Sequence, residues 1–236
     1  TLKAGVTDLG SGTINLGSAA FTANRYPNLK LWLDANDVST MDQGFSAGQT
    51  GNPSNNQSVG YWADKSGTGH HAIAYQNTNN RRPKYYSADL NGKPTLKFSN
   101  AGNHDDALIV TNGRSDFHGW GKLSVFLVYE EYGGSSNNHA ILGNGEYAGG
   151  GWKIYHQNGS NFRTRIIGTS GSNDLTTGSV TRTGLHLVSL TYDGAVRTQV
   201  VDGVINSQTD TGIIPVSFNG DMVIGGTGTD GGYMAG

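Results

Sequence analysis

Along L-K-L-W-L-D-A (29–35), Leu29, Leu31 and Leu33 alternate with Lys30, Trp32 and Asp34, a period-two pattern that predicts a strand with one buried face. Short apolar runs follow at 59–63 (V-G-Y-W-A), 72–75 (A-I-A-Y), 94–98 (P-T-L-K-F) and 107–110 (A-L-I-V), each bounded by Gly, Asn, Asp or Pro. Their length is that of ordinary strands. The run L-S-V-F-L-V-Y (123–129) is apolar on both faces and is expected to be a central strand covered on both sides. Asn158-Gly159, Asp193-Gly194 and Asp202-Gly203 each separate or precede strand-like segments. Such dipeptides supply the positive φ angles of tight hairpin turns, so consecutive hairpins should form an antiparallel meander. A last strand is expected at 222–226, and a weak one at 13–16.

The chain has 236 residues, enough for one large all-β domain. Only 14% of residues are charged and 37 are glycine, so amphipathic helices are scarce and turns abundant. The expected fold is a two-sheet antiparallel β-sandwich, with residues 1–25 as an N-terminal arm or linker and residues 26–236 as the domain. A formal charge of −2 with dispersed Lys and Arg gives no row of cations for phosphates, which argues against nucleic-acid binding. No apolar run approaches the roughly 20 residues of a membrane span. The absence of cysteine removes disulfides, thiolate metal sites and cysteine nucleophiles. The chain opens T-L-K-A-G without an initiator Met, as expected of a piece of a longer or processed protein.

Several pieces taken in order carry a family resemblance: L-W-L-D-A-N-D from 31, W-A-D-K-S-G-T-G-H-H-A from 62, R-P-K-Y from 82, N-G-K-P-T-L-K-F from 91, D-D-A-L-I-V from 105, S-V-F-L-V-Y from 124, and the later Y-D-G, V-D-G and I-G-G. Over 29–226 the chain resembles the laminin-G-like branch of the concanavalin A-like lectin/glucanase superfamily. That resemblance implies a jelly roll, often a glycan-binding or adhesive module of secreted proteins and also found in phage particles. It also implies a final Gly-x-Ile-x-Glu strand that this sequence lacks, leaving an open sheet edge suited to strand addition. Fold alone does not fix function.

Five groups of residues are candidates for chemistry. Adjacent His70 and His71 project to opposite sides of a strand and cannot converge on one metal. Asp64, Ser66, Gly67 and Gly69 are therefore read as a structural turn, which the resemblance also implies. Asp105 and Asp106 offer oxygen ligands suited to calcium, with Asp34 or Asp37 as further donors, but lack the alternating carboxylates of a dedicated loop. Catalysis has little support. The three glutamates are Glu130, Glu131 and Glu146, and no Glu-x-Asp-x-x-Glu of the superfamily's hydrolases is present. No Gly-x-Ser-x-Gly elbow occurs either.

Glycan sites join an aromatic face to amides and carboxylates, and segment 135–152 contains these types: Tyr147 with Asn137, Asn138, His139, Asn144 and Glu146. Trp120 is a second stacking candidate. Trp152 shares a strand face with Ile154 and is expected in the core, and Trp32 and Trp62 are read as structural. The expected function is a non-catalytic carbohydrate-recognition or adhesion module of an extracellular or cell-surface protein. The alternative is a virion or surface-filament component that binds another protein chain through its arm and open sheet edge. A glycoside hydrolase or polysaccharide lyase is a third, less supported reading.

Overall fold

The structure, a computed structural model, describes residues 26–75, 82–99, 106–111, 116–117, 121–131, 139–144, 151–157, 161–168, 171–181, 184–210 and 221–225. The strands are β1 (Met41–Asp42), β2 (Gln57–Ser58), β3 (Tyr61–Trp62), β4 (Ala72–Ala74), β5 (Lys84–Leu90), β6 (Lys93–Lys97), β7 (Leu108–Val110) and β8 (Leu123–Glu131). They continue with β9 (His139–Gly143), β10 (Gly151–Gln157), β11 (Asn161–Gly168), β12 (Gly171–Ser179), β13 (Gly184–Tyr192), β14 (Val196–Val201), β15 (Val204–Thr209) and β16 (Met222–Ile224). A nine-stranded sheet runs β1-β3-β4-β7-β16-β9-β10-β11-β12, and a four-stranded sheet runs β15-β14-β13-β8. A small third sheet, β2-β5-β6, stands beside them. Every strand pair among the described residues is antiparallel, as the sequence predicts for a β-sandwich.

The core lies between the two larger sheets. Trp152, Ile154, Phe162 and Ile166 of the nine-stranded sheet meet Tyr129, Val188, Leu190, Tyr192 and Val201 of the four-stranded one. Period-two alternation puts these side chains on inner faces. At the β11–β12 end the interior is polar instead. Thr164 Oγ1 donates to Gln199 Oε1 at 2.7 Å, Gln199 Nε2 donates to Thr177 Oγ1, and Arg197 Nη1 donates to the carbonyls of Thr164 and Asn173 at 2.8 and 3.0 Å. Hydrogen bonds satisfy what apolar contact would otherwise fill.

The turn chemistry acts as expected at Asp202-Gly203. Their φ angles of 51° and 85° close β14 onto β15, so that Val201 faces Val204. Two expectations need correction. Residues 29–35 form no strand: Leu31 and Leu33 pack on the core, but the Trp32 backbone bonds to the Asp64 carboxylate and the Lys65 N–H rather than to a neighbouring strand. Alternating burial arises there without a ladder. The run 123–129 is not central either. β8 pairs with β13 alone among the described residues, and its outer residues Phe126 and Val128 are 71% and 58% exposed.

Gly60 shows how tightly the small sheet is joined. A Cβ there would run into the Gly44 carbonyl oxygen, while the Gly60 N–H donates to the Asp42 carbonyl at 3.0 Å. Gly60→Ala is expected to cost about 2 kcal/mol by overpacking. Urea unfolding with an unchanged midpoint would show that the loop yields without strain.

Candidate functional site

Asp42 organises the loop that follows β1. It is 3% exposed, and its carboxylate accepts the N–H groups of Gly44 (2.6 Å), Thr50 (3.0 Å) and Gly51 (3.0 Å). Burial would raise its pKa, but the backbone N–H groups of Gly44, Gly51, Thr50 and Gly48 outweigh that and hold the carboxyl below its ordinary value. Asn52 Nδ2 clamps the loop's base by donating to the carbonyls of Val38 (2.6 Å) and Met41 (3.1 Å). The result is a fixed wall rather than a loose excursion.

That wall faces β2 and β5 across an open cleft of about 480 Å³. Gln43, Phe45 and Gln49 line one side, and Asn56, Gln57, Arg82 and Lys84 line the other. The Arg82 guanidinium lies 4.4 Å from the Phe45 ring centroid and donates through Nη1 to the Gln43 carbonyl, which joins the two sides. The amide oxygens are already used: Gln49 Oε1 accepts from the Phe45 N–H (2.6 Å), Gln57 Oε1 from the Ser54 N–H (2.6 Å), and Asn56 Oδ1 from the Tyr86 hydroxyl (2.8 Å). Their NH2 groups remain as donors. Among the described lining residues there are two cations, Arg82 and Lys84, and no acid. An aromatic wall beside a donor-rich, cationic floor suits a small polar ligand rich in acceptor oxygens.

A second polar cluster lies on the face of the nine-stranded sheet opposite the core. Asp174 accepts from the Tyr155 hydroxyl (3.0 Å), Arg163 Nη1 (3.2 Å) and Arg165 Nε and Nη2 (2.6 and 2.7 Å). Burial first, then the Asp174 charge, pushes the Tyr155 phenol up to about 12. Tyr155 and Lys153 are 0% and 2% exposed.

The Asp64 carboxylate gathers the donors of its turn. Oδ1 accepts from the N–H groups of Trp32 and Ser66, and Oδ2 from the Ser66 hydroxyl, the Thr68 hydroxyl and the His70 N–H. Gly67 and Gly69 take φ angles of 91° and 79°. The two histidines diverge: His70 Nε2 meets Asp116 Oδ2 at 2.8 Å, while His71 Nδ1 accepts from the Asp64 N–H at 3.1 Å.

Of the glycan candidates, Trp120, Asn137, Asn138, Glu146 and Tyr147 lie outside the described residues, as does Asp105. His139 opens β9. Asn144 is a correction to the sequence reading: it is 2% exposed, donates to the Phe117 carbonyl and accepts from the Trp152 N–H at 3.0 Å, so its amide ties loops together. Asp106 is 4% exposed, and its Oδ2 accepts from the Ser99 N–H at 2.9 Å. Asp34 and Asp37 both hold Lys65 Nζ, at 3.0 and 2.8 Å. No group of three metal-binding side chains occurs among the described residues. Nor, among them, is any helix long and apolar enough to cross a membrane.

The segment 42–58 is rich in Gly, Asn, Gln and Ser with no strand-like apolar run, so its sequence does not announce the cleft. A lone aromatic, Phe45, inside that polar run was the available signal.

The sequence matches no protein-family model and no curated protein. Among solved structures, the enzymatically active domain of tailspike protein 2 from bacteriophage CBA120 superposes with a TM-score of 0.52 at 9% identity, over 79% of this chain and 28% of that one. The fold is shared at that level. The CBM40 module of the Ruminococcus gnavus IT-sialidase, solved with α2,3 sialyllactose, aligns at 16% identity over 48% of this chain and 68% of its own, with a TM-score of 0.39. The family 7 alginate lyase A1-II′ aligns at 13% identity over 74% and 77%, with a TM-score of 0.40.

Proposed function

We infer that this chain is a non-catalytic carbohydrate-recognition module of a larger extracellular, surface or virion protein, and that it holds its sugar in the Phe45–Arg82 cleft. The cleft itself is the observation that carries this reading: an open site on fixed walls, with an aromatic–guanidinium stack and uncommitted amide donors. Sugars present a C–H face to such stacks and hydroxyl oxygens to such donors. Lys84, exposed at the rim of the cleft, favours a sugar that carries a carboxylate. Glycoside hydrolysis normally uses two carboxyl groups across the scissile bond, and the described lining supplies none.

A glycan array spanning neutral, uronate-bearing and sialylated sugars tests the assignment. Phe45→Ala is expected to weaken binding about ten-fold. Lys84→Gln, at an exposed position, should weaken acidic sugars several-fold and leave neutral ones unchanged. Binding that survives both substitutions would remove the cleft from the account. An assembly role in a virion or surface filament is the second reading; it is favoured by the exposed apolar face of the four-stranded sheet and is compatible with sugar binding.

A further inference from the structure

The strand β5, K-Y-Y-S-A-D-L, alternates between its two faces: Lys84 is exposed, Tyr85 is buried in the core and Tyr86 is half-buried. Alternate residues of a strand share a face, so Lys84 and Tyr86 are neighbours on the outer face of the small sheet, about 7 Å apart along the strand. Arg82, two residues before Lys84, lines the cleft with it. From Arg82 to Tyr86 this run covers about 13 Å. At its far end the arrangement of the cleft is repeated. Lys97 Nζ lies 4.6 Å from the Tyr86 ring centroid, as the Arg82 guanidinium lies 4.4 Å from that of Phe45. Lys97 also pairs with Asp89 at 2.8 Å, which holds the ammonium in place.

Hydrogen bonds join this surface to the cleft. The Tyr86 hydroxyl donates to Oδ1 of Asn56, a lining residue, at 2.8 Å, and Asn55 Oδ1 accepts from the Ser87 N–H and hydroxyl at 3.0 and 3.2 Å. The two aromatic–cation pairs therefore belong to one continuous, braced surface. Its charge points the same way. Lys84 stands directly opposite Lys97 across the β5–β6 ladder, and β5 and β6 together hold three lysines and one acid. Like charges so placed repel, and an anionic group of a ligand between them relieves the repulsion. We propose that Tyr86 and Lys97 form a second sugar-binding position, so that the site takes an acidic oligosaccharide of two or more residues laid along β5, with Lys84 meeting a carboxylate between the two aromatic pairs. This rests on the carbohydrate reading of the cleft. A monosaccharide occupies the Phe45–Arg82 cleft alone, and longer ligands gain their added contacts at Tyr86.

Titration calorimetry with a uronic acid monosaccharide and its linear oligomers separates the two claims. The oligomers are expected to bind about ten-fold tighter than the monosaccharide, the worth of one more aromatic contact. Tyr86→Ala should bring that ratio close to one, and Lys97→Gln should lower it about three-fold. Phe45→Ala should weaken every length and keep the ratio. If the monosaccharide binds through Phe45 and the oligomers bind no tighter, the second position falls and the cleft stands. A gain with length that survives both Tyr86→Ala and Lys97→Gln also overturns the proposal, since the oligomer then runs elsewhere. If no uronate of any length binds, the cleft reading and the second position fall together.

Discussion

Replacing Asp210 with alanine is expected to destabilise the fold by about 4 kcal/mol, the largest effect of any single change considered. Asp210 and Arg197 both have fully buried side chains, with Arg197 Nε 3.0 Å from Asp210 Oδ2. That closest approach is not aligned as a hydrogen bond, and the better-directed contacts are elsewhere. Asp210 Oδ1 accepts from Asn173 Nδ2 (2.9 Å), Gln208 Nε2 (3.0 Å) and Arg197 Nη2 (3.4 Å). Burial pushes the Asp210 carboxyl up and the Arg197 guanidinium down, and each partner's charge opposes the shift in the other. Truncating the aspartate leaves the guanidinium in the interior without its adjacent carboxylate, with Asp174 as the remaining acidic charge acting on it, and arginine does not escape by losing its proton. The double variant Arg197→Met with Asp210→Ala should be less damaged than Asp210→Ala alone. Urea unfolding of the four proteins of this cycle checks it; a single-variant cost under about 1 kcal/mol would mean that water reaches the pair.

Asp64→Asn is expected to cost about 3 kcal/mol at neutral pH. Oδ1 can keep the N–H groups of Trp32 and Ser66, at 2.9 and 2.8 Å. The new NH2 then confronts three donors that Oδ2 now accepts, from Ser66 Oγ, Thr68 Oγ1 and the His70 N–H. Hydroxyls can turn to accept, but the backbone N–H of His70 cannot. Burial would raise the Asp64 pKa, but hydrogen bonds from Ser66, Trp32 and Thr68 outweigh it and hold it below its ordinary value. A carboxyl lowered on folding contributes stability at pH above its unfolded value of about 3.9, and that contribution fades as pH falls through the folded pKa. The difference between wild type and Asp64→Asn should therefore be full at neutral pH and shrink in acid. A gap that stays constant down to about pH 2 would rule out the carboxylate's charge as its source.

The sandwich was legible where sequence and ladder share one cause. Asp193-Gly194 and Asp202-Gly203 fix two hairpins by their turn conformations, and the apolar runs at 72–75 and 107–110 become the paired strands β4 and β7. β12 escaped notice because G-S-N-D-L-T-T-G-S has almost no apolar residue. Its inward Asn173 and Thr177 are held by Arg197 and Gln199 on the opposing sheet, a long-range satisfaction that no local pattern reveals. The run 29–35 has the reverse problem, with strand-like alternation and no partner strand. β8 looks central because both faces are apolar, yet its second face is open. The cleft was hidden for a related reason. Gln49, Gln57 and Arg82 are distant in sequence and meet only because Asp42 folds its loop back over β2 and β5.

The most direct test of the carbohydrate assignment is a backbone amide NMR titration of the chain with the best acidic sugar from the array. The account predicts saturable shifts at Gly44, Phe45, Gln49 and Gln57, with the N–H groups of the Asp64 turn unmoved. Shifts confined to other parts of the chain, with those four amides silent, would contradict it.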